Sequence, residues 1–456
     1  MTLGRLAYAH VVHPLYHFAK RDGVNRAVHE LRRNQWLAAN AIDAIQQEKL
    51  RRILVHAHGH VRYYRDAIDA LGVAPWELAQ AETFARLPVL TKAVIRRNHD
   101  RLQTTALAGN RLHLNSTSGS TGEPLEFYTD DGISTYLKAS VIRNKEWTGW
   151  RRSSREVFLW GAPIDASKVK ALRGRVHGAI TGSLFLSAYD MTEEAMDGYL
   201  SSIARHQPIL LISYPSILEV FATHCRRRSA RVESLRAIIT SAETLEPHQR
   251  DLIEKTFGDR VFNRYGCREV GDIAHECASH TGLHVNSDCV LVEIVDGSGR
   301  PCSRGETGDV LVTSLHNYGM PLIRYAIGDR AAWSLRTTCE CGRGLPLLAG
   351  IEGRSMDVVA TRSGKHIGGT YWTILLRSRP GFTQFQVVQD TPDGVTVRFV
   401  RDDRFDAGVL EYYTQRIREK CGAEFHVEFQ EEKELERTAA GKRRLVVSNV
   451  DRTLPA

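Results

Sequence analysis

A run of small and hydroxyl-bearing residues from Asn115 to Pro124 has the composition of a loop that binds phosphate. Its hydroxyl groups can donate hydrogen bonds, and its two glycines allow backbone N–H groups to come close to a ligand. Extended runs at 111–114 and 125–129 flank it and predict a strand–loop–strand unit. No Lys-Ser or Lys-Thr pair follows the second glycine, so the loop is not a P-loop, and taken alone it could equally be a polar hairpin or linker.

A second group of residues could bind a metal ion, because most of the eight cysteines lie between positions 267 and 341. Such clustering in a large chain favours metal binding over disulfides. Three thiolates and one imidazole make an acceptable tetrahedral set for Zn²⁺. The candidate ligands are Cys277, His284, Cys339 and Cys341. Buried free thiols are the alternative interpretation, and His275 and His280 are substitute ligands.

Between positions 156 and 263, short apolar runs alternate with segments of helical periodicity, which predicts a mostly parallel sheet flanked by helices. Ligands of such sheets bind at the carboxyl ends of the strands. Three polar tripeptides fall at predicted strand ends: Ser213–Pro215, Ser241–Glu243 and Arg264–Gly266. We therefore expect them side by side at one rim of the sheet.

The surrounding sequence divides into parts with different patterns. Residues 1–105 form a helical lead-in, and shorter strands with turns from about 283 to 350 indicate a β-rich part. A large domain is thus predicted over 1–355 and a small α+β domain over 356–456. The fold class is α/β.

Composition excludes some functions. The chain has 61 basic and 53 acidic residues among 456, a net charge of +8, and no long basic run interleaved with aromatic residues, so nucleic-acid binding is not indicated. No apolar run approaches the roughly 20 residues that span a bilayer, so stable membrane insertion is not expected and a cytoplasmic location is predicted. The first twenty or so residues are aromatic and basic; we expect them to pack on the protein, with contact to a membrane surface as the alternative.

The order of several motifs resembles the adenylate-forming superfamily of acyl-CoA ligases. They are the loop at 117–124, Tyr265–Glu269, Arg324-Tyr325 with Gly328-Asp329, Gly353-Arg354 and Gly441-Lys442. The segments 214–216, 282–284, 320–325 and 339–343 resemble the phenylacetate-CoA ligase branch and, within it, proteins of the CapK type from capsule clusters. Many members of this branch carry the Cys/His pattern, which favours a structural zinc.

The resemblance implies a reaction and a fold. A carboxylate attacks the α-phosphate of ATP, pyrophosphate leaves, and the acyl-adenylate passes to coenzyme A or to another thiol or amine acceptor. Mg²⁺ accompanies ATP, and coenzyme A or a carrier protein is the expected acceptor. The family fold has a large domain and a small mobile domain that closes for adenylation and rotates for transfer.

The resemblance also assigns residues to roles. The catalytic residues are Lys442, Glu269 and Thr121, and Glu269 is also the Mg²⁺ ligand. The nucleotide-binding residues are Thr117, Ser118, Gly119, Ser120, Thr121, Gly122, Ser241, Ala242, Glu243, Tyr265, Gly266, Asp329 and Arg354. The acyl pocket is expected at Trp160, Gly161, Tyr214 and Arg264.

The sequence departs from the family at two places. Met356-Asp357 stands where the hinge usually has two adjacent acidic residues, and Cys267 stands where a small hydroxyl residue is commoner. Two other functions stay open beside the ligase: an adenylyltransferase acting on a hydroxyl or polysaccharide-pathway substrate, and a non-catalytic adenylate-binding protein. The acid, the acceptor and a homodimeric state are also open.

Overall fold

The computed structural model describes residues 8–20, 22–106, 111–117, 125–160, 178, 181–188, 191–354, 358–362, 366–368, 372, 375–376, 379–435 and 445–450. The chain forms two compact units. The larger comprises Met1–Ile327 with Ala331–Gly350, and the smaller comprises Gly328–Arg330 with Ile351–Ala456.

The larger unit begins with helices. A π-helical turn at Tyr8–Val12 precedes α1 (His13–Lys20), α2 (Val24–Asn34), α3 (Ala39–His60), α4 (Arg62–Asp69), α5 (Ala81–Phe84) and α6 (Lys92–Arg97), with short 3-10 turns at Glu77–Ala79 and Asp100–Leu102. In α2, Val24, Val28 and Leu31 are buried at helical spacing, so one stripe of the helix faces the core. Helices therefore make up much of the described chain before residue 106.

A hairpin and a long helix follow. Strands β1 (His113–Ser116) and β2 (Glu126–Thr129) pair antiparallel, and α7 spans Asp131–Trp147. The carboxylate of Asp130 caps α7 by accepting the Ile133 N–H at 2.9 Å. Its other oxygen accepts the Tyr318 N–H at 2.8 Å, so this cap also fixes a distant loop.

Eleven strands form one sheet, whose order is β10-β11-β12-β13-β9-β8-β7-β6-β5-β3-β4. The strands are β3 (Glu156–Trp160), β4 (Ser183–Ser187), β5 (Leu210–Ser213), β6 (Ala237–Ser241), β7 (Val261–Cys267), β8 (Gly271–Glu276), β9 (Leu283–Val285), β10 (Val290–Val295), β11 (Thr307–Ser314), β12 (Tyr325–Trp333) and β13 (Leu347–Arg354). Strands β4, β3, β5, β6 and β7 are parallel, and β7–β8, β8–β9, β9–β13 and β10–β11 pair antiparallel.

Apolar cores cover both faces of the parallel part. Helices α8 (Glu193–His206), α9 (Pro215–Arg227) and α10 (Pro247–Phe257) contribute to a large core on one face. Ile142 of α7 and Trp150, which follows this helix, pack against Leu210, Ile212 and Ile239 on the other. Successive side chains of β5 and β6 point to opposite faces of the sheet, and both faces are covered by a core. Every position in these strands is therefore apolar or buried, and the sequence shows a continuous apolar run. The predicted α/β class is confirmed, and the β-rich part proves to extend the same sheet.

The smaller unit has its own core. Four strands, β16 (Phe382–Thr391), β17 (Gly394–Arg401), β18 (His426–Glu431) and β19 (Val446–Ser448), form a sheet of order β18-β17-β16-β19. Helix α11 (Gly408–Cys421) packs on it through Val409, Tyr413 and Ile417. Strands β14 (Val358–Ala360) and β15 (His366–Gly368) form a separate antiparallel pair.

Candidate active site

The three polar tripeptides lie side by side at the carboxyl ends of β5, β6 and β7. Ser213 is paired with Thr240, and Ser241 is paired with Arg264. Ala242, just after β6, has a φ of 70°, a conformation that non-glycine residues rarely adopt. Such strain is typical of a backbone held in place for a ligand. The structure thus brings Ser241, Ala242 and Tyr265 to one rim, and their nucleotide contacts stay a prediction.

Glu269 lies in the turn between β7 and β8 and is only 5% exposed. Its Oε1 accepts a hydrogen bond from the hydroxyl of buried Tyr325 at 2.9 Å. A buried carboxylate oriented by a tyrosine is well suited to bind a hard cation. Tyr325 was quoted in the sequence only as part of a motif, and its role beside Glu269 emerges only from the fold.

The turn that carries Glu269 depends on glycine. A Cβ at Gly266 would overlap the carbonyl oxygen of Gly271, so only glycine allows β7 and β8 to approach this closely. The register of the two strands shifts at this place, between Tyr265 and Gly266. This irregularity is a β-bulge, a feature that is common beside active sites.

The base of the predicted phosphate loop lies next to this turn. The Arg268 guanidinium donates to the carbonyl of Ser116 at 3.2 Å. Across the loop, the Thr117 hydroxyl accepts the Leu125 N–H at 2.9 Å, and the Thr117 N–H donates to the Leu125 carbonyl at 2.9 Å. The two predicted strands are present on either side of residues 118–124, and the Thr117 hydroxyl links their ends.

Several predicted site residues lie outside the described part of the chain. These are Ser118, Gly119, Ser120, Thr121, Gly122, Gly161 and Lys442, together with the hinge residues Met356 and Asp357 and the side chain of Arg354. Asp329 lies in β12 and is half-buried. Their roles stay predictions.

The predicted acyl-pocket residues have defined partners. Trp160 stacks on buried Tyr214 with ring centroids 4.2 Å apart. The Arg264 guanidinium donates to Asp272 at 2.6 Å, so its charge is neutralised by a buried carboxylate. Glu243, predicted to flank the nucleotide, accepts the Ser216 N–H at the start of α9 at 3.1 Å. Its carboxylate therefore already stabilises a helix end.

A small cavity lies beside Arg264 on the α7 side of the sheet. It is lined by Val141, Asn144, Lys145, Ile212, Ile239, Arg264, Asp272 and His275. His275 donates from Nδ1 to the Glu276 carbonyl at 2.7 Å, which leaves Nε2 as an acceptor that has no partner among the described residues. Burial lowers the pKa of His275 to about 4, so the ring stays neutral. Sequence reasoning missed Asn144 and Asp272, since neither stands in a recognisable motif.

The four side chains predicted to bind a metal ion lie close together in the structure. The donor atoms of Cys277, His284, Cys339 and Cys341 all lie within 4.8 Å of one another. Two of the separations are 3.6 Å, between the sulfurs of Cys277 and Cys339, and 3.2 Å, between Cys341 Sγ and His284 Nε2. A tetrahedral Zn²⁺ with Zn–S bonds of about 2.3 Å would place its sulfurs about 3.8 Å apart. The donor types and these two separations are therefore close to those of a zinc site.

Hydrogen bonds and burial around this cluster set the protonation of its side chains. His284 donates from Nδ1 to the Leu345 carbonyl at 3.1 Å, so Nε2 carries the lone pair that a metal needs. Burial raises the pKa of Cys277 to about 12. Burial also acts to raise the pKa of Cys339, but hydrogen bonds from Thr281 and from the Cys341 backbone outweigh it and lower that pKa to about 7. His275 and His280 are not part of the cluster found in the described residues.

Comparison with known proteins agrees with this architecture. Residues 3–318 match the AMP-binding enzyme family, and residues 359–449 match the CapK C-terminal domain. The phenylacetate-coenzyme A ligase of Thermus thermophilus is 26% identical over 343 residues, 72% of this chain and 73% of that protein. Protein CapK of Staphylococcus aureus is 23% identical over 416 residues, 90% of each chain.

A solved structure of 2-hydroxyisobutyryl-CoA ligase, captured in the postadenylation state, has the same fold. The two structures superpose with a TM-score of 0.72 at 20% identity, over 91% of each chain. The predicted superfamily and its likeness to the phenylacetate-CoA ligase branch and to CapK are confirmed. Because the family match spans most of its length, the chain belongs to the AMP-binding enzymes, the adenylate-forming superfamily.

Proposed function

We propose that this chain uses ATP to activate a carboxylic acid as an acyl-adenylate, releases pyrophosphate, and passes the acyl group to coenzyme A or to another thiol or amine. The observation that carries the proposal is the position of Glu269. This buried carboxylate lies beside the base of the 117–124 loop, in a chain of the AMP-binding family. A phosphate-binding loop next to a buried carboxylate can hold a triphosphate and its cation.

ATP would supply the leaving group, and Mg²⁺ would neutralise charge on its phosphates. Glu269 would hold the Mg²⁺, oriented by the Tyr325 hydroxyl. The loop hydroxyls and N–H groups would bind the phosphates, and Lys442 would stabilise charge between the attacking carboxylate and the α-phosphate. Tyr265 and the 241–243 segment would bind the adenine, and Asp329 would accept from the ribose hydroxyls.

We further propose that Cys277, His284, Cys339 and Cys341 hold a structural Zn²⁺. These side chains would fill all four positions of a tetrahedral ion, an arrangement that is typical of structural and not catalytic zinc. Cys277 directly follows β8, His284 lies in β9, and Cys339 and Cys341 lie in the connection between β12 and β13. The ion would thus fix that connection to the sheet.

The proposed reaction is tested by carboxylate-dependent pyrophosphate release. Aryl, fatty and amino acids are supplied singly, first without coenzyme A and then with it. A stoichiometric release that becomes continuous on addition of coenzyme A identifies a coenzyme A ligase and its acid. Release that stays limited to one turnover identifies a different acceptor, such as an amine or a carrier thiol.

Two lysine variants, one a test and one its control, examine the role assigned to Lys442. Lys442→Ala should lose acid-dependent release while ATP binding is retained, and Lys433→Ala, which changes an exposed lysine of the same unit, should behave as the wild type. Release that survives in Lys442→Ala would contradict the assigned role. Transfer of an adenylyl group onto a hydroxyl compound, without acid-dependent release, would instead establish the adenylyltransferase.

Removal of the Tyr325 hydroxyl should weaken the cation site. In Tyr325→Phe, Glu269 stays buried but loses its donor, and we expect a roughly three- to tenfold fall in kcat/KM. The Mg²⁺ concentration required for half-maximal activity should rise in parallel. Steady-state kinetics over a Mg²⁺ titration measures both. A lower unfolding temperature with unchanged Mg²⁺ dependence would show that the hydroxyl serves only stability.

A further inference from the structure

The first described helical segment exposes its apolar side. The large side chains that face solvent are Val11, Val12, Leu15, Tyr16 and Phe18, each 51–78% exposed. Residues 11, 15 and 18 follow helical spacing and share one side, with 12 and 16 next to them. We call these five side chains the apolar face.

The opposite side of the segment is polar and faces the protein. His13 Nδ1 is 3.0 Å from the Arg152 guanidinium, and His17 Nδ1 is 2.6 Å from Asp22. The carbonyl of Pro14 accepts from the Asn25 amide at 3.0 Å. A surface helix normally does the reverse, with its apolar stripe against the core. The expectation that this segment buries its apolar residues on the protein is therefore wrong, and within the described part of the chain the apolar face stays exposed.

The size of the apolar face favours a membrane over a second copy of the chain. Together the five side chains expose roughly 500 Å², which is the size of the functional patches found on single proteins. A stable dimer buries about 800 Å² of total surface on each partner, which is more than these five side chains supply by themselves. Binding to a bilayer requires no such minimum area, because an interfacial helix inserts only its apolar side.

Charge identifies the kind of membrane. Residues 8–20 contain no Asp or Glu, and the Lys20 ammonium lies 3.1 Å from the Tyr16 hydroxyl at the edge of the apolar face. The neighbouring carboxylates are paired, Asp22 with His17 and Asp131 with His113. The whole chain carries a charge of +8. We propose that the apolar face docks the protein on an anionic bilayer surface, without spanning it.

Vesicle flotation with the full chain tests this. The wild type should float with phosphatidylcholine vesicles that contain phosphatidylglycerol, float less with pure phosphatidylcholine, and lose part of its binding at high salt. Phe18→Glu should lower the partition coefficient at least about tenfold. Leu335→Glu is the matched control, because Leu335 is 77% exposed and Phe18 is 78% exposed. It should float as the wild type does.

Three results would overturn the proposal: no flotation with anionic vesicles, equal flotation with both vesicle types, or equal loss in the two variants. Sedimentation velocity tests whether a second copy of the chain occupies the apolar face instead. A wild-type dimer that Phe18→Glu converts to a monomer would assign the apolar face to that second copy. Membrane binding and acid activation are measured separately, so either can fail alone.

Discussion

Replacing Glu269 by Gln should lower kcat for acid-dependent pyrophosphate release by roughly two to three orders of magnitude. Glutamine keeps the shape of the side chain and can still accept from the Tyr325 hydroxyl, so the turn should stay folded. What it removes is the negative charge that a Mg²⁺ site needs. Raising the Mg²⁺ concentration should recover part of the lost rate.

The matched control is Glu306→Gln, which changes an exposed glutamate whose hydrogen bond from the Ser303 N–H a glutamine can still accept. Its kinetics should equal those of the wild type. The unfolding temperature of both variants is recorded beside the rates. A Glu269→Gln enzyme with full activity at limiting Mg²⁺ would show that this carboxylate does not bind the cation.

The second large effect concerns the Cys/His cluster. Purified wild-type protein should contain about one Zn²⁺ per chain, and Cys341→Ser should contain almost none. Without the ion, two buried donors and the half-buried Cys339 sulfur remain close together with no cation between them, and the connection after β12 loses its attachment. We expect the unfolding temperature to fall by roughly 10 °C. Elemental analysis and a thermal melt, each with and without a strong chelator, measure this.

Cys302→Ser is the control, because Cys302 lies outside the cluster. It should keep the ion and respond to the chelator as the wild type does. If wild-type protein refolded with excess Zn²⁺ contains no metal, or if the chelator leaves its melting curve unchanged, the cysteines are buried thiols and the zinc proposal fails.

Two adjacent residues show how the fold divides the family motifs between chemistry and structure. In Arg324-Tyr325, the tyrosine hydroxyl meets Glu269, whereas the arginine is a structural anchor. The Arg324 guanidinium donates to the carbonyls of Ala85 and Leu87 at 2.5 and 2.6 Å and pairs with Glu293 at 3.2 Å. Adjacent residues of one motif therefore serve different purposes.

Several features could be predicted from residue type and spacing, because local chemistry encodes them. The hydroxyl and glycine composition of the 117–124 loop, the apolar runs of β5 and β6, and the Cys/His set all depend on residue type and short spacing. The order of the motifs along the chain was enough to predict the family. Each of these features can be recognised in the sequence because few other residue types have the required chemistry.

Which distant residues meet depends on the fold and could not be predicted from the sequence. Tyr325 and Glu269 are 56 positions apart, and Arg268 and Ser116 are 152 apart, so no local pattern pairs them. The antiparallel strands after β7 extend the parallel sheet, because each added strand satisfies the backbone groups of the edge before it. The outward apolar face of the first helix also depends on position, since periodicity shows that a helix has two sides but not which side the protein covers.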